Sequence, residues 1–271
     1  MKISPGELTE LAGLIHQACG IVLDQKKDYL IESRLQSLLQ KHNFTTFGQL
    51  TWEAKQSPDL TNTIVDAITT NETSFFRDRK PFDLLKEKIL PAWLERQSGT
   101  GRLRIWSSAS SSGQEAYTIL MVLKEFFGSD LGKNRISVTG TDISDTALER
   151  ARQGRYSHLE IARGIEGGQL RSFFEPFEDG WMVKDELRRL AEFKKQNLLQ
   201  PFSSLGTFDL IFCRNVAIYF SEENRTQLFE RISRQLNPGG VLFIGSTESL
   251  FGINTRFERH EENGAAYYTL D

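Results

Sequence analysis

The sequence predicts two unlike units in series: a small all-helical one, then an α/β unit on a doubly wound, Rossmann-like parallel sheet. Three observations carry that expectation. Up to about Thr70, apolar residues recur at helical steps and nothing reads as a long strand. From about Arg102 onward, short apolar runs alternate with amphipathic segments, the pattern that β–α–β crossovers impose on a parallel sheet. The chain has 271 residues, 39% hydrophobic and 25% charged, enough ordinary globular sequence to bury a core in one large or two unequal domains.

In the first regime Leu8, Leu11, Ile15 and Cys19 fall at three- or four-residue steps. Tyr29, Leu30, Leu35, Leu38 and Leu39 repeat the pattern, and Leu60, Ile64, Val65 and Ile68 close it. GIVLDQKKD is a short extended connection between the first two helices. KPFDLLKEKILPAWLERQSGTG reads as a connecting helix ending near Gly99–Gly101. The expected strands that follow are LRIWS (103–107), ISVTGTD (136–142), FDLIFCRN (208–215) and GGVLFIGS (239–246). Helices are expected over roughly 114–127, 145–153 and 222–236. Asn237-Pro238-Gly239-Gly240 stops the last helix and starts a strand, since proline cannot continue the hydrogen-bond ladder. AAYYTLD (265–271) predicts a closing strand, antiparallel at one side. Residues 173–196, FFEPFEDGWMVKDELRRLAEFKKQ, break the alternation. Their two short extended candidates, WMVK and AEFKK, are expected to form a small antiparallel appendage inserted into the sheet unit. The expected spans are thus a helical domain over 1–70, a linker over 71–101, and an α/β domain over 102–271 with its insertion at about 173–196.

Several function classes are disfavoured. No apolar stretch reaches the ~18 residues of a membrane span. The opening MKISPGELTELAG is too polar and acidic for a signal peptide. Cys19 and Cys213 are two thiols far apart, which suggests neither a disulfide framework nor a thiolate zinc site, so a cytoplasmic location is expected. His16, His42, His158 and His260 are scattered, and no metal site is expected. A net charge of −3 gives no bulk attraction to nucleic acid or anionic lipid.

In a doubly wound sheet the ligand sits at the carboxyl ends of the strands. Three polar constellations fall there: the small-residue loop SSASSSG followed by Glu115, Thr141-Asp142-Ile143, and Cys213-Arg214-Asn215 leading into VAIYF. A fourth, TTNETSFFRD (69–78), lies before the sheet. Each also has an ordinary reading: a turn, a helix N-cap at Asp142, a local salt bridge at Arg214, and a core aromatic pair at Phe75-Phe76. Together they gain weight, because the topology brings three of them to one edge. The helix after the small-residue loop opens on Gln114-Glu115, and an anion there repels a diphosphate, which argues against a nicotinamide cofactor. Glu115 for an ammonium, Asp142 for a ribose diol and Arg77 for a carboxylate together describe S-adenosylmethionine.

These residues resemble the chemotaxis receptor methyltransferases, the CheR-type protein-glutamate O-methyltransferases. Six ordered blocks carry the likeness: TTNETSFFRD, RIWSSASSSGQEAY, TGTDIS with LERARQGRY, EFKKQNLL, FDLIFCRNVAIYF and LNPGGVLFIGSTES. The resemblance implies an all-α domain before a Rossmann-like S-adenosylmethionine-dependent methyltransferase domain with an inserted small antiparallel β-subdomain. It implies cofactor contacts from Asn71, Thr73, Arg77, Glu115, Asp142, Asn197, Leu198, Arg214 and Asn215, and puts Arg77 and Tyr219 nearest the transferred methyl. The implied substrate is a glutamate side chain on the cytoplasmic helical bundle of a chemoreceptor. The products are its γ-methyl ester and S-adenosylhomocysteine, formed by a cytoplasmic enzyme recruited to receptor arrays.

The chain departs from the family in two places. Gly113-Gln114-Glu115-Ala116-Tyr117 stands where members often read GEEPY, which keeps the carboxylate. Only EPFEDG separates Phe174 from Trp181, where some members have a longer glycine-rich loop that grips a receptor's C-terminal pentapeptide; independence from such a tether is expected. The resemblance leaves Arg77 to orient either the cofactor's carboxylate or the substrate's. Lys26, Lys27 and Arg34 offer a basic face for acidic receptor helices. Six Lys/Arg against eight Asp/Glu over residues 1–70 suit a solvated face equally. The rivals are a non-catalytic binder of S-adenosylmethionine or its product at signalling arrays, and a methyltransferase of another substrate; no NPPY-like tetrapeptide supports nucleic acid.

Overall fold

The computed structural model describes residues 2–23, 28–96, 101–133, 135–253 and 256–270. Four helices open the chain: α1 (Pro5–Cys19), α2 (Asp28–Lys41), α3 (Phe47–Ala54) and α4 (Pro58–Ile68). Ser4, Thr46 and Ser57 cap α1, α3 and α4 with side-chain oxygens that accept otherwise orphaned N–H groups. At α1, Ser4 and Glu7 form a reciprocal capping box, and Glu7 Oε1 also accepts from Gly48 N at the start of α3 (2.8 Å). Leu11, Ile15, Ile31, Leu35, Leu50 and Ile64 are fully buried in a core separate from those of the sheet. The inward face of α2 differs from the expected one. It runs Ile31, Leu35, Leu38, Leu39, at steps of four, three and one, which leaves Tyr29 64% exposed.

A helical connector follows as α5 (Lys80–Leu84), one wide turn (Leu85–Ile89) and α6 (Leu90–Arg96). Leu90 N donates to Leu85 O, and Pro91, which has no N–H, comes next. Of the expected end of this helix near Gly99–Gly101, residues 99 and 100 lie outside the described residues.

The α/β unit runs β1 (Arg102–Ser108), α7 (Gln114–Phe127), β2 (Arg135–Asp142), α8 (Asp145–Gln153), β3 (Arg155–Ser157), α9 (His158–Ala162), α10 (Gly167–Phe173), β4 (Phe174–Phe177), β5 (Gly180–Val183), α11 (Asp185–Arg188), β6 (Ala191–Lys195), β7 (Phe208–Cys213), α12 (Glu222–Gln235), β8 (Leu236–Ile244), β9 (Phe257–Glu262) and β10 (Ala265–Leu270). The seven-stranded sheet is ordered β6-β2-β1-β7-β8-β10-β9. Its first five strands are parallel, and β10 and β9 close it antiparallel, as expected of the final strand. The chain winds outward from β1 through β2 to β6, then crosses back to β7 on the other side of β1. That reversal is the topological switch point where such sheets bind ligands. Register brings Ser108, Thr141 and Cys213 level there.

The inserted sheet differs from expectation. It is ordered β3-β5-β4 and recruits Arg155–Ser157, whereas AEFKK is β6, an edge strand of the main sheet. Val138 pairs with Ala191 and Asp142 with Lys195. The cause is Phe193: its ring lies over Gly140, where an added Cβ would sit 2.6 Å from it, so the strand docks where β2 has no side chain.

Candidate active site

The carboxyl ends of β1, β2, β6 and β7 open into a cleft of about 910 Å³, open water at its mouth included. Asn71, Thr73, Arg77, Glu115, Asp142, Asn197, Leu198, Arg214, Asn215 and Tyr219 all line it. Thr69–Arg77 forms one wall, and Cys19 and Ile21 from the helical unit contribute to another. Of the residues expected to dock a partner, Lys26 and Lys27 lie outside the described residues. Arg34 does not itself line the cleft but braces its wall from behind, donating to Ile68 O, to Thr69 O (3.1 Å) and to Thr70 Oγ1 (3.2 Å). Its guanidinium thus satisfies carbonyls at the C-terminal end of α4.

The small-residue loop makes a tight passage from β1 to α7. Ala109 and Ser111 are left-handed at φ +53° and +50°, and Gly113 at +92° caps α7. A Cβ on Gly113 would meet that of Ala151 at 2.9 Å, so glycine is needed for space as well as for φ. The loop delivers Ser111 N to Asp142 Oδ2 (2.8 Å), while Ser144 N donates to Asp142 Oδ1 (2.9 Å). Ser144, not Asp142, caps α8. Burial pushes the Asp142 carboxyl above its ordinary pKa, against the pull of these N–H donors.

Glu115, with a side chain 12% exposed, accepts from Ser107 Oγ (2.8 Å) and from Arg214 Nη1 (2.9 Å). Arg214 is 1% exposed; it also reaches Asp78 Oδ2 (3.0 Å) and Arg77 O (2.7 Å), and lies over the Phe82 ring (5.3 Å). One buried guanidinium therefore ties the loop after β7, the start of α7 and the FFRD segment together. The aromatics of that segment are core, as their ordinary reading has it: Phe75 packs edge-on against Tyr156 and Phe174. Phe76 and Asp78 adopt φ +49° and +58° on either side of Arg77. Arg77 is half-buried, donates to Glu72 O (3.1 Å), and forms no ion pair with a carboxylate among the described residues.

The helical unit meets the loops around the cleft directly. Asn197 Nδ2 donates to Ala18 O (2.7 Å) and its Oδ1 accepts from Leu199 N (2.9 Å), so this amide joins the two units. Val22 N donates to Tyr219 O (2.9 Å), and Ile21 bridges to Phe220.

One carboxylate escapes the sequence reading. Glu248, past the end of β8, accepts from Asn215 N (2.7 Å) and Gly245 N (2.7 Å) at Oε2, and from Val216 N (3.2 Å) and Ile218 N (3.3 Å) at Oε1. The available signal was a glycine three residues before an acid at a strand's carboxyl end, in FIGSTES.

The cleft suits a ligand that carries both charges and an apolar ring. The carboxylates of Glu72, Glu115 and Asp142, and the Arg77 guanidinium, which has no carboxylate partner among the described residues, share the lining with Ile143, Leu198, Val216 and Phe220. Two family models match the chain: CheR methyltransferase, all-alpha domain, over residues 6–69, and CheR methyltransferase, SAM binding domain, over residues 71–265. Chemotaxis protein methyltransferase Cher2 of Pseudomonas putida is 42% identical, with 90% of each chain covered. Chemotaxis protein methyltransferase of Vibrio parahaemolyticus is 41% identical over 100% of this chain and 98% of its own. Chemotaxis protein methyltransferase 1 of Vibrio cholerae is 41% identical with the same coverage.

Proposed function

Because this chain belongs to the CheR methyltransferase family, we propose that it esterifies glutamate side chains on the cytoplasmic helical bundle of methyl-accepting chemoreceptors. It is an S-adenosylmethionine-dependent methyltransferase. The observation that carries the substrate reading is Arg77, a cleft guanidinium with no carboxylate partner among the described residues, in the same lining as the half-buried Tyr219.

When bound, S-adenosylmethionine supplies an electrophilic methyl on a sulfonium. Glu115 would hold its ammonium and Asp142 its ribose diol, with Arg77 facing a carboxylate. The side-chain amide of Asn197 is committed to Ala18 O and Leu199 N, which leaves main-chain atoms and Leu198 for contact at that corner. Arg214 holds Glu115 in place and takes up part of its charge. A glutamate is already ionised at neutral pH, its unperturbed pKa being about 4.3, so this chain needs no general base. Its residues have to align that carboxylate and exclude water, which solvates the opposite charges that cancel during transfer. Tyr219 donates its hydroxyl to the incoming carboxylate.

The hairpin β4–β5 leaves only Glu178 and Asp179 between its strands, which supports methylation without a receptor tail tether. Incubation with methyl-labelled cofactor and receptor membranes tests the whole reading. Base-labile label on receptors is expected, equal with and without the C-terminal pentapeptide, in keeping with recruitment to receptor arrays. Label on nucleic acid, or cofactor binding without transfer, would overturn the substrate; loss of label with the tail would overturn its independence.

A further inference from the structure

The loop that carries Asn215 and Tyr219 leaves β7 in an unfavourable conformation. Asn215 is left-handed at φ +58°, and the following residues make one tight turn, Ala217–Tyr219, before α12. Asparagine tolerates that region better than other non-glycine residues, but the sharp turn still leaves main-chain N–H groups that must be satisfied. Main-chain N–H groups at Asn215, Val216 and Ile218 all point to Glu248, and Gly245 N makes a fourth donor. Each carboxylate oxygen accepts two of them. Bonds to an ionised acceptor are the strong class, and convergence of four on one side chain fixes the path of the backbone.

The end of β8 is shaped for this contact. Glu248 N donates to Gly245 O (2.9 Å), which turns the chain so that the carboxylate folds back over the glycine. A Cβ at Gly245 would lie 2.7 Å from Glu248 Oε2 and 2.9 Å from Asn215 N. Only glycine lets the carboxylate and the loop amide approach together. No Lys, Arg or His pairs with Glu248 among the described residues, so amide dipoles alone hold its charge.

We infer that Glu248 is the positioning residue of the methyl-transfer site: its carboxylate holds the main chain of residues 215–218 so that Tyr219 stays in the cleft. This rests on the reading above in assigning Tyr219 to the chemistry, while the clamp itself can be measured without a substrate.

Two experiments test it. Amide hydrogen exchange over residues 215–220 is followed in the wild-type protein, Glu248→Gln and Glu248→Asp. Faster exchange in both variants is expected, roughly tenfold or more as lost hydrogen bonds to a charged acceptor imply. Unchanged exchange in either folded variant overturns the clamp, whatever the enzyme methylates. A double-mutant cycle with Tyr219→Phe then reads kcat. Glu248→Gln is expected to lower kcat roughly tenfold, and Tyr219→Phe to cost much less in that background than alone. Asp142→Asn, which shares no hydrogen-bond partner with Glu248, should cost the same in both backgrounds. Additivity of Glu248→Gln with Tyr219→Phe would show that the carboxylate does not act through the tyrosine.

Discussion

Asp142 is 7% exposed, and desolvation outweighs the N–H bonds to its carboxylate, so its pKa lies above the ordinary 3.8. The folded protein holds that proton more tightly than the unfolded chain. Ionisation therefore costs stability as pH rises through the window between the two values. In the proposed role Asp142 holds the ribose diol in its charged form, so S-adenosylhomocysteine affinity is expected to fall in acid from a higher pH than a free carboxylate would give. Asp142→Asn should weaken binding about ten- to hundredfold at neutral pH and remove that acid dependence. Calorimetry from pH 5 to 8 checks this, and an unchanged acid slope in the variant would refute it. Asp142 and Glu115 were legible in the sequence because charged residues at strand ends are visible there. The partner of Glu115 was not, since Arg214 arrives from 99 positions away. Glu248 left still less trace: its partners are main-chain N–H groups, which every residue but proline carries.

Single carboxylates also organise whole elements. Glu7 caps its own helix through Ser4 and receives Gly48 N from the start of α3, and these bonds, the Ser4 amide foremost, lower its pKa from 4.5. A depressed carboxyl gives its stabilisation above the unfolded pKa and loses it as pH falls through the folded value. Glu7→Gln, which keeps a capping-box acceptor and loses only the charge, should cost about 0.5 kcal/mol at pH 7. Thermal melts of the two proteins are expected to converge as pH falls from 4.5 through the lowered folded value, and a gap that stays constant through strong acid would show that charge is not the cause. Helices and central strands were legible because their apolar period repeats several times. The edge strand β6 was not: a single buried Phe193 is too short a pattern, and its docking place is set by Gly140 on another strand.

At the scale of the molecule, the two units are fastened beside the cleft. Thr146 Oγ1 donates to Asp66 Oδ2 (2.5 Å), Asn197 reaches Ala18 O, and Ile143 packs on the helical core. The two regimes were evident from the change of period, whereas this seam, made largely of polar and main-chain contacts, has no period to read. Arg34 instead braces the end of α4 within the helical unit, so its reversal should lower the melting temperature as well as any docking. Reversing Lys26 and Lys27 together is expected to reduce receptor methylation several-fold while leaving S-adenosylhomocysteine affinity within about twofold. Equal loss of both would remove the docking role.

The bond from Val22 N to Tyr219 O has a mechanical corollary. It makes the connection after α1 and the tyrosine loop a single linkage, so a partner seated on the helical unit, as proposed for the receptor, would displace the loop when it moves that connection. Movement of the helical unit and the pose of Tyr219 in the cleft are thereby geared together.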